Sequence, residues 1–309
     1  MAQTSIKPSR HNLYNTHIIP VSFEYFAPAN LQEALELLDK YGADAKILAG
    51  GTDLLVKMKM RVVEPKYVIN IKKLKELAYI KEEGNVVRIG ALTKWRQLEK
   101  SDIIKKYFPA LYDAVLVMAG TQIRNMATIG GNLCNASPAA DSAPPLMVYE
   151  AKVVLASKDG EREVPITEFF TGPGRTVMKP NELLKEIVIP KPEEGTGSAF
   201  IKVTRTAMDL AKISAATALK VEDGKIKLVR IAIGSAAPTP VRCRKTEEAL
   251  TGKPFTPELI RETVKMVQDE ISPIDDVRST AFYRKEVSKV IVEDALMISH
   301  ERVIKGWFK

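Results

Sequence analysis

The chain has 309 residues, 45% of them hydrophobic and 27% charged, a balance that excludes disordered and collagen-like classes. At usual domain sizes this length holds two domains more naturally than one. Its 46 Lys and Arg against 38 Asp and Glu give a formal net charge of +8, but the cations are scattered rather than grouped with aromatics, so a solvated surface is favoured over nucleic-acid binding.

In chain order, residues 1–20 read as an N-terminal extension. Residues 29–42 then read as a helix with Asn30 as N-cap, Glu33 three residues on, and Leu31, Ala34, Leu35 and Leu38 on one stripe that Gly42 ends. A short strand (46–49), the turn Gly50-Gly51, a helix-like run (52–61) and a strand (67–71) make a β-α-β unit. Residues 79–91 read as a hairpin about Gly84-Asn85, followed by helices over 95–100 and 109–119.

Residues 121–146, TQIRNMATIGGNLCNASPAADSAPPL, hold many small and amide side chains, which makes poor core and a good ligand-cradling loop. Strands at 152–157 and 161–166 restore ordinary β-structure. The run 190–197, PKPEEGTG, is rich in breakers and reads as a domain linker. Beyond it, apolar runs at 199–203, 213–221 and 226–233 predict three antiparallel strands, and helices follow over 245–250, 257–270 and 280–299. The Gly172-Pro173-Gly174-Arg175 segment reads as a turn.

Cys134 and Cys243 are too few for a disulfide framework or an iron–sulfur cluster, and His11, His17 and His300 stand at no metal-ligand spacing. No metal site is expected. There is no run of about 18 apolar residues, and the first twenty residues lack the apolar core of a signal peptide, so a cytoplasmic location without a membrane span is expected.

Two glycine loops stand out: AGGTDLL (49–55) and TIGGN (128–132). Glycine admits close backbone approach to a ligand, and a loop that opens a helix aims several N–H donors at an anion, so both loops suit a pyrophosphate. A single Gly-Gly before a helix is more often a tight turn; two such pairs strengthen the ligand reading. Neither a G-x-G-x-x-G nor a G-x-x-x-x-G-K-[ST] pattern occurs.

The segments KILAGGTDLLVKMK (46–59) and TQIRNMATIGGNLCNASPAADSAPPLM (121–147) resemble the two FAD-binding signatures of the medium subunits of xanthine dehydrogenase and carbon monoxide dehydrogenase relatives. The resemblance implies an α+β fold: a two-part FAD-binding domain of the vanillyl-alcohol-oxidase (PCMH) type over 21–190, its subdomains split near 75, then a smaller α+β domain over 198–300 with a three-stranded antiparallel sheet and helices. It implies non-covalent FAD, since neither motif carries a His that could tether the ring. Carried over by motif, Ala49, Gly50, Gly51, Thr52, Asp53 and Leu54 would bind the pyrophosphate. Thr128, Gly130, Gly131 and Asn132 would hold the phosphate and ribityl region, and Asp141 would bond a flavin hydroxyl. TRTAMDLAKISAA (204–216) is similar to a segment that reaches over the flavin ring, which implies catalytic roles for Asp209 and Lys212, the latter as a cation beside the ring. Where the family reads RNRGTIGG, this chain has Met126 and Ala127 in place of an Arg and a Gly.

The function implied is a redox relay. A small 2Fe-2S subunit would deliver electrons, a large molybdenum-cofactor subunit would oxidise the substrate, and this chain would pass electrons to a soluble external acceptor that the sequence does not identify. Two other readings stay open: a stand-alone flavin-dependent oxidoreductase of the same fold, and a non-enzymatic basic binding module. Substrate chemistry within the chain is disfavoured, because no paired carboxylates, Ser-His-Asp or Cys-His set exists.

Overall fold

The computed structural model describes Ile19 and residues 21–305; the expected extension over 1–20 lies, apart from Ile19, outside the described residues. The first unit consists of β1 (Glu24–Phe26), α1 (Leu31–Tyr41), β2 (Ala45–Leu48), α2 (Leu54–Lys59) and β3 (Tyr67–Asn70). The α1 helix starts where its sequence directs: Asn30 Oδ1 accepts from the Glu33 amide at 2.9 Å, and Ala34, Leu35 and Leu38 are buried. Strands β2 and β3 pair in parallel, with α2 in the crossover between them, and β1 joins the far side of β3.

The second unit opens with the expected hairpin, β4 (Ile80–Glu83) and β5 (Val86–Gly90). Six helices follow: α3 (Trp95–Lys100), α4 (Asp102–Tyr107), α5 (Pro109–Val117), α6 (Thr121–Arg124), α7 (Ile129–Asn135) and α8 (Ala143–Val148). After them come β6 (Lys152–Ser157), β7 (Gly160–Pro165), α9 (Ile166–Phe169), the small pair β8 (Phe170–Gly172) and β9 (Arg175–Thr176), and β10 (Leu183–Pro190). Strand β10 is the centre of a five-stranded antiparallel sheet, β4-β5-β10-β6-β7. The sequence reading assigns no strand there. The strand carries Lys185 and Glu186 in mid-run, and the buried Glu186 is satisfied by the distant Arg88 (2.7 Å) and Tyr79 (2.5 Å).

Residues 121–146 are not the poor core their composition suggests. Ile129, Leu133, Ala143 and Leu146 are fully buried in the largest hydrophobic cluster, because the small residues between them let short helices pack closely.

The last unit holds β11 (Thr196–Val203), β12 (Ile213–Glu222), β13 (Lys225–Gly234) and β14 (Val241–Arg242), antiparallel in that order. The three strands read from sequence are present, and a short fourth joins them. The connection from β10 is only residues 191–195, since Pro190 ends one strand and Thr196 starts the next. Helices α10 (Arg244–Leu250), α11 (Pro257–Thr263), α12 (Val267–Glu270) and α13 (Ala281–Lys305) pack on the sheet. A 3-10 turn, Val264–Met266, breaks the single helix expected over 257–270. Helix α13 lies so close to β11 that a Cβ on Gly197 would fall 2.0 Å from the Ser299 carbonyl oxygen. Its far end is fixed to α5 by the Arg302–Asp113 ion pair at 2.7 Å. Among the described residues no helix is long and apolar enough to cross a membrane.

Candidate functional site

The strand β2 delivers the chain into Ala49-Gly50-Gly51, and Gly51 takes φ +85°, a left-handed conformation that suits glycine and turns the backbone into α2. A Cβ on Gly50 would stand 2.4 Å from the Met126 carbonyl oxygen and 2.9 Å from Ala127 Cα, so this glycine is where the first loop touches the second. The second loop is held from behind. Ile129 N donates to Thr93 O at 3.0 Å, Gly130 N to Ala91 O at 3.0 Å, and Trp95 N to Ala127 O at 3.2 Å. Thr128 caps α7, its hydroxyl accepting from Gly131 N at 3.1 Å.

The two loops thereby border one cavity of about 510 Å³. Ala49, Gly50, Gly51, Thr52, Asp53 and Leu54 line it from one side, and Thr128, Gly130, Gly131 and Asn132 from the other. The helices behind the loops are tied together as well. Asn135 on α7 donates to Asp53 Oδ1 at 3.1 Å and accepts from Lys57 Nζ at 2.6 Å. Lys46, Lys57 and Lys179 give the lining a positive balance; of the two acidic residues there, Glu182 is neutralised by Arg162 at 2.6 Å. A cavity floored by glycine backbone and edged by lysines suits an extended, phosphate-bearing ligand.

Asp141 does not itself line the cavity; it adjoins Ser142, whose hydroxyl donates to the lining residue Asn132 at Oδ1, 2.6 Å away. The Asp141 carboxylate is buried and accepts from Lys202 Nζ at 2.9 Å, while its other oxygen, Oδ1, has no hydrogen-bond partner among the described residues. Burial pushes the Asp141 carboxyl up, and the charge and hydrogen bond of Lys202 oppose that rise. Lys202 sits on β11 with its side chain 3% exposed, and it also reaches Val117 O at 3.3 Å. The sequence reading missed Lys202, although a lone cation inside the apolar run 199–203 was a signal for a buried partner.

The structure does not bring Asp209 and Lys212 to the cavity. Asp209 sits on the β11–β12 connection in a surface ion pair with Arg205 at 2.7 Å, and Lys212 Nζ lies 5.1 Å from the centre of the Tyr283 ring. Asn135, Gly174 and Thr176 also line the cavity, although the sequence reading gave none of them a site role and took the Gly172–Arg175 segment only as the turn it forms. Their placement depends on α7 and β9 packing side by side.

Residues 21–192 match the family described as the FAD binding domain in molybdopterin dehydrogenase, and residues 198–298 match the CO dehydrogenase flavoprotein C-terminal domain. The glyceraldehyde dehydrogenase medium chain of Sulfolobus acidocaldarius is 36% identical over 277 residues, covering 89% of this chain and 98% of that one. The carbon monoxide dehydrogenase medium chain of Hydrogenophaga pseudoflava is 36% identical over 279 residues, 90% of this chain and 97% of the relative. A solved carbon monoxide dehydrogenase from the same organism, in a form lacking the Mo-pyranopterin moiety, superimposes with a TM-score of 0.89 at 37% identity, covering 92% of this chain and 99% of its counterpart.

Proposed function

The chain belongs to the FAD-binding medium subunits of the molybdenum hydroxylases, and from that premise we propose that its cavity holds FAD and relays electrons out of a multi-subunit dehydrogenase. Its partners are a small 2Fe-2S subunit, which supplies the electrons, and a large subunit carrying the molybdenum cofactor, where the substrate is oxidised. The recipient is an external acceptor. The observation that carries the reading is the contact at Gly50: two glycine loops 80 residues apart in sequence close on one cavity with a clearance that excludes even a methyl group.

The residues present fit the cofactor on two independent counts. Backbone N–H groups of Ala49–Leu54, where the turn opens α2, would hold the pyrophosphate, while Thr128, Gly130, Gly131 and Asn132, whose loop is fixed by its own bonds to Ala91, Thr93 and Thr128, would line the opposite side. The Asp141 Oδ1, unpartnered among the described residues, would accept a hydrogen bond from a flavin hydroxyl. Lys202, rather than Lys212, is the cation we assign to this end, because its ammonium lies 2.9 Å from the buried Asp141 carboxyl. When bound, FAD accepts electrons singly and gives them up in pairs. The chain's part is to bind it, orient it and set the charge around it.

We also propose that the FAD-binding domain spans residues 21–190, with its subdomains divided near 75, and that the second domain spans 198–300. A cytoplasmic setting suits the exposed Cys134 thiol on the cavity wall, which would survive best under reducing conditions.

Acid precipitation of the purified chain tests the reading. One FAD per chain should appear in the supernatant, and a pellet that stays yellow would overturn non-covalent binding. The lone chain should contain no stoichiometric iron or molybdenum and should not oxidise substrates of the complex, while dithionite should still bleach its flavin. Substrate-dependent bleaching without partners would favour a stand-alone flavoenzyme.

A further inference from the structure

Within the cavity, we infer that Lys57, stationed by Asn135, is the side-chain cation that binds the FAD pyrophosphate. The inference deepens the reading of the chain as an FAD-bearing relay and rests on it. Three lysines line the cavity, Lys46, Lys57 and Lys179, and they are not equivalent. Lys46 and Lys179 are exposed, and their ammonium groups make no hydrogen bond among the described residues. Lys57 is half-buried, and its Nζ donates to Asn135 Oδ1 at 2.6 Å. Asn135 in turn donates to Asp53 Oδ1 at 3.1 Å, so the lysine is fixed through α7 to the loop that opens α2. A side chain already held in one place loses less rotamer freedom when a ligand arrives.

The charge of that ammonium is left over. Asn135 is a neutral amide, and Lys57 forms no ion pair among the described residues. Neither carboxylate on the lining supplies one: Glu182 is held by Arg162 at 2.6 Å, and Asp53 is linked to Lys57 only through the Asn135 amide that bonds both. Two buried cations elsewhere show the contrast, Lys202 meeting Asp141 at 2.9 Å and Arg242 meeting Glu247 at 2.7 Å. An ammonium carries three N–H donors, so with one given to Asn135 the others remain for an anion in the cavity. Position selects which anion. Lys57 stands one helical turn beyond Asp53, its amide donating to Asp53 O at 2.9 Å, and Asn135 stands one turn beyond Gly131 on α7. The pair thus bridges the two helices that the glycine loops open, at the part of the cavity those loops border. Of the parts of FAD, the pyrophosphate carries a negative charge on each phosphate, and it is the part an uncompensated ammonium recognises.

The test uses the full chain, freed of flavin and titrated with FAD, with the dissociation constant read from flavin fluorescence at several salt concentrations. Lys57→Met should weaken FAD binding by roughly tenfold or more and make it less sensitive to salt, while the flavin-free variant melts close to the parent. Lys57→Arg should keep most of the affinity. Asn135→Ala should weaken FAD several-fold, and the double variant should bind within about twofold of Lys57→Met alone, because Asn135 acts through the lysine. Lys59→Met, two residues on and exposed outside the cavity lining, should bind like the parent. Unchanged affinity or an unchanged salt slope in Lys57→Met overturns the inference, as does an equal loss in Lys59→Met. Additive losses in the double variant overturn the positioning role of Asn135. A parent chain that takes up no FAD overturns the prior reading and this inference with it, an outcome the parent titration separates from the others.

Discussion

The glycine loops and the Asp141–Lys202 pair lie to either side of Asn132, and they are built on opposite principles. One is made of backbone: Gly50 and Gly130 are required because any Cβ would strike backbone, at 2.4 Å from Met126 O and 2.7 Å from Ala91 O. The other is made of two charged side chains, from the 121–146 segment and from the second domain, whose stability depends on each other inside a low-dielectric core. Within each Gly-Gly pair the duties also divide. The first glycine permits packing; the second meets other constraints, left-handed backbone at Gly51 and room beside the Thr128 hydroxyl at Gly131.

The largest effect is expected where charge is at stake. Lys202→Met leaves a buried carboxylate without its cation and should cost about 3–5 kcal/mol near neutral pH, read by denaturant unfolding. Asp141 is already pushed up by burial, and without Lys202 it would rise further. A carboxyl whose folded pKa is raised binds more protons folded than unfolded, so stability is greatest below the ordinary carboxylate range and declines as pH rises toward the folded pKa. The variant should show that decline more steeply than the parent, and adding Asp141→Asn should flatten it. A flat profile in Lys202→Met would mean that the pair is not coupled.

Gly50→Ala tests the backbone side. The added methyl cannot be accommodated without moving the second loop, so a loss of about 3 kcal/mol is expected, together with loss of FAD. Wild-type melting with full flavin would show that the loops are not in contact.

Gly131→Val should separate cofactor from fold. Its Cβ would meet only Thr128 Oγ1, at 2.8 Å, so a folded chain that has lost FAD is expected, destabilised by about 1–2 kcal/mol. Retained flavin would argue that this glycine faces no phosphate. Thr128→Ala removes the cap of α7 and should cost about 1 kcal/mol with a weaker hold on FAD, measured by flavin release during dialysis.

Local rules were enough to read most elements. Asn30 and Glu33 announce α1, and Gly84 turns the first hairpin, because caps, turns and alternation act over a few residues; of the breaker run 190–197 only 191–195 lie between strands. The two glycine loops were legible for the same reason: a tight turn that opens a helix is a property of a short backbone segment. Tertiary structure alone decided the rest. It made β10 a central strand by giving Glu186 its distant Arg88 and Tyr79, and it turned the small-residue stretch 121–146 into core by packing α7 and α8 closely. It also paired Asp141 with Lys202 rather than gathering Asp209 and Lys212, since a buried charge takes the partner the fold brings within hydrogen-bond reach.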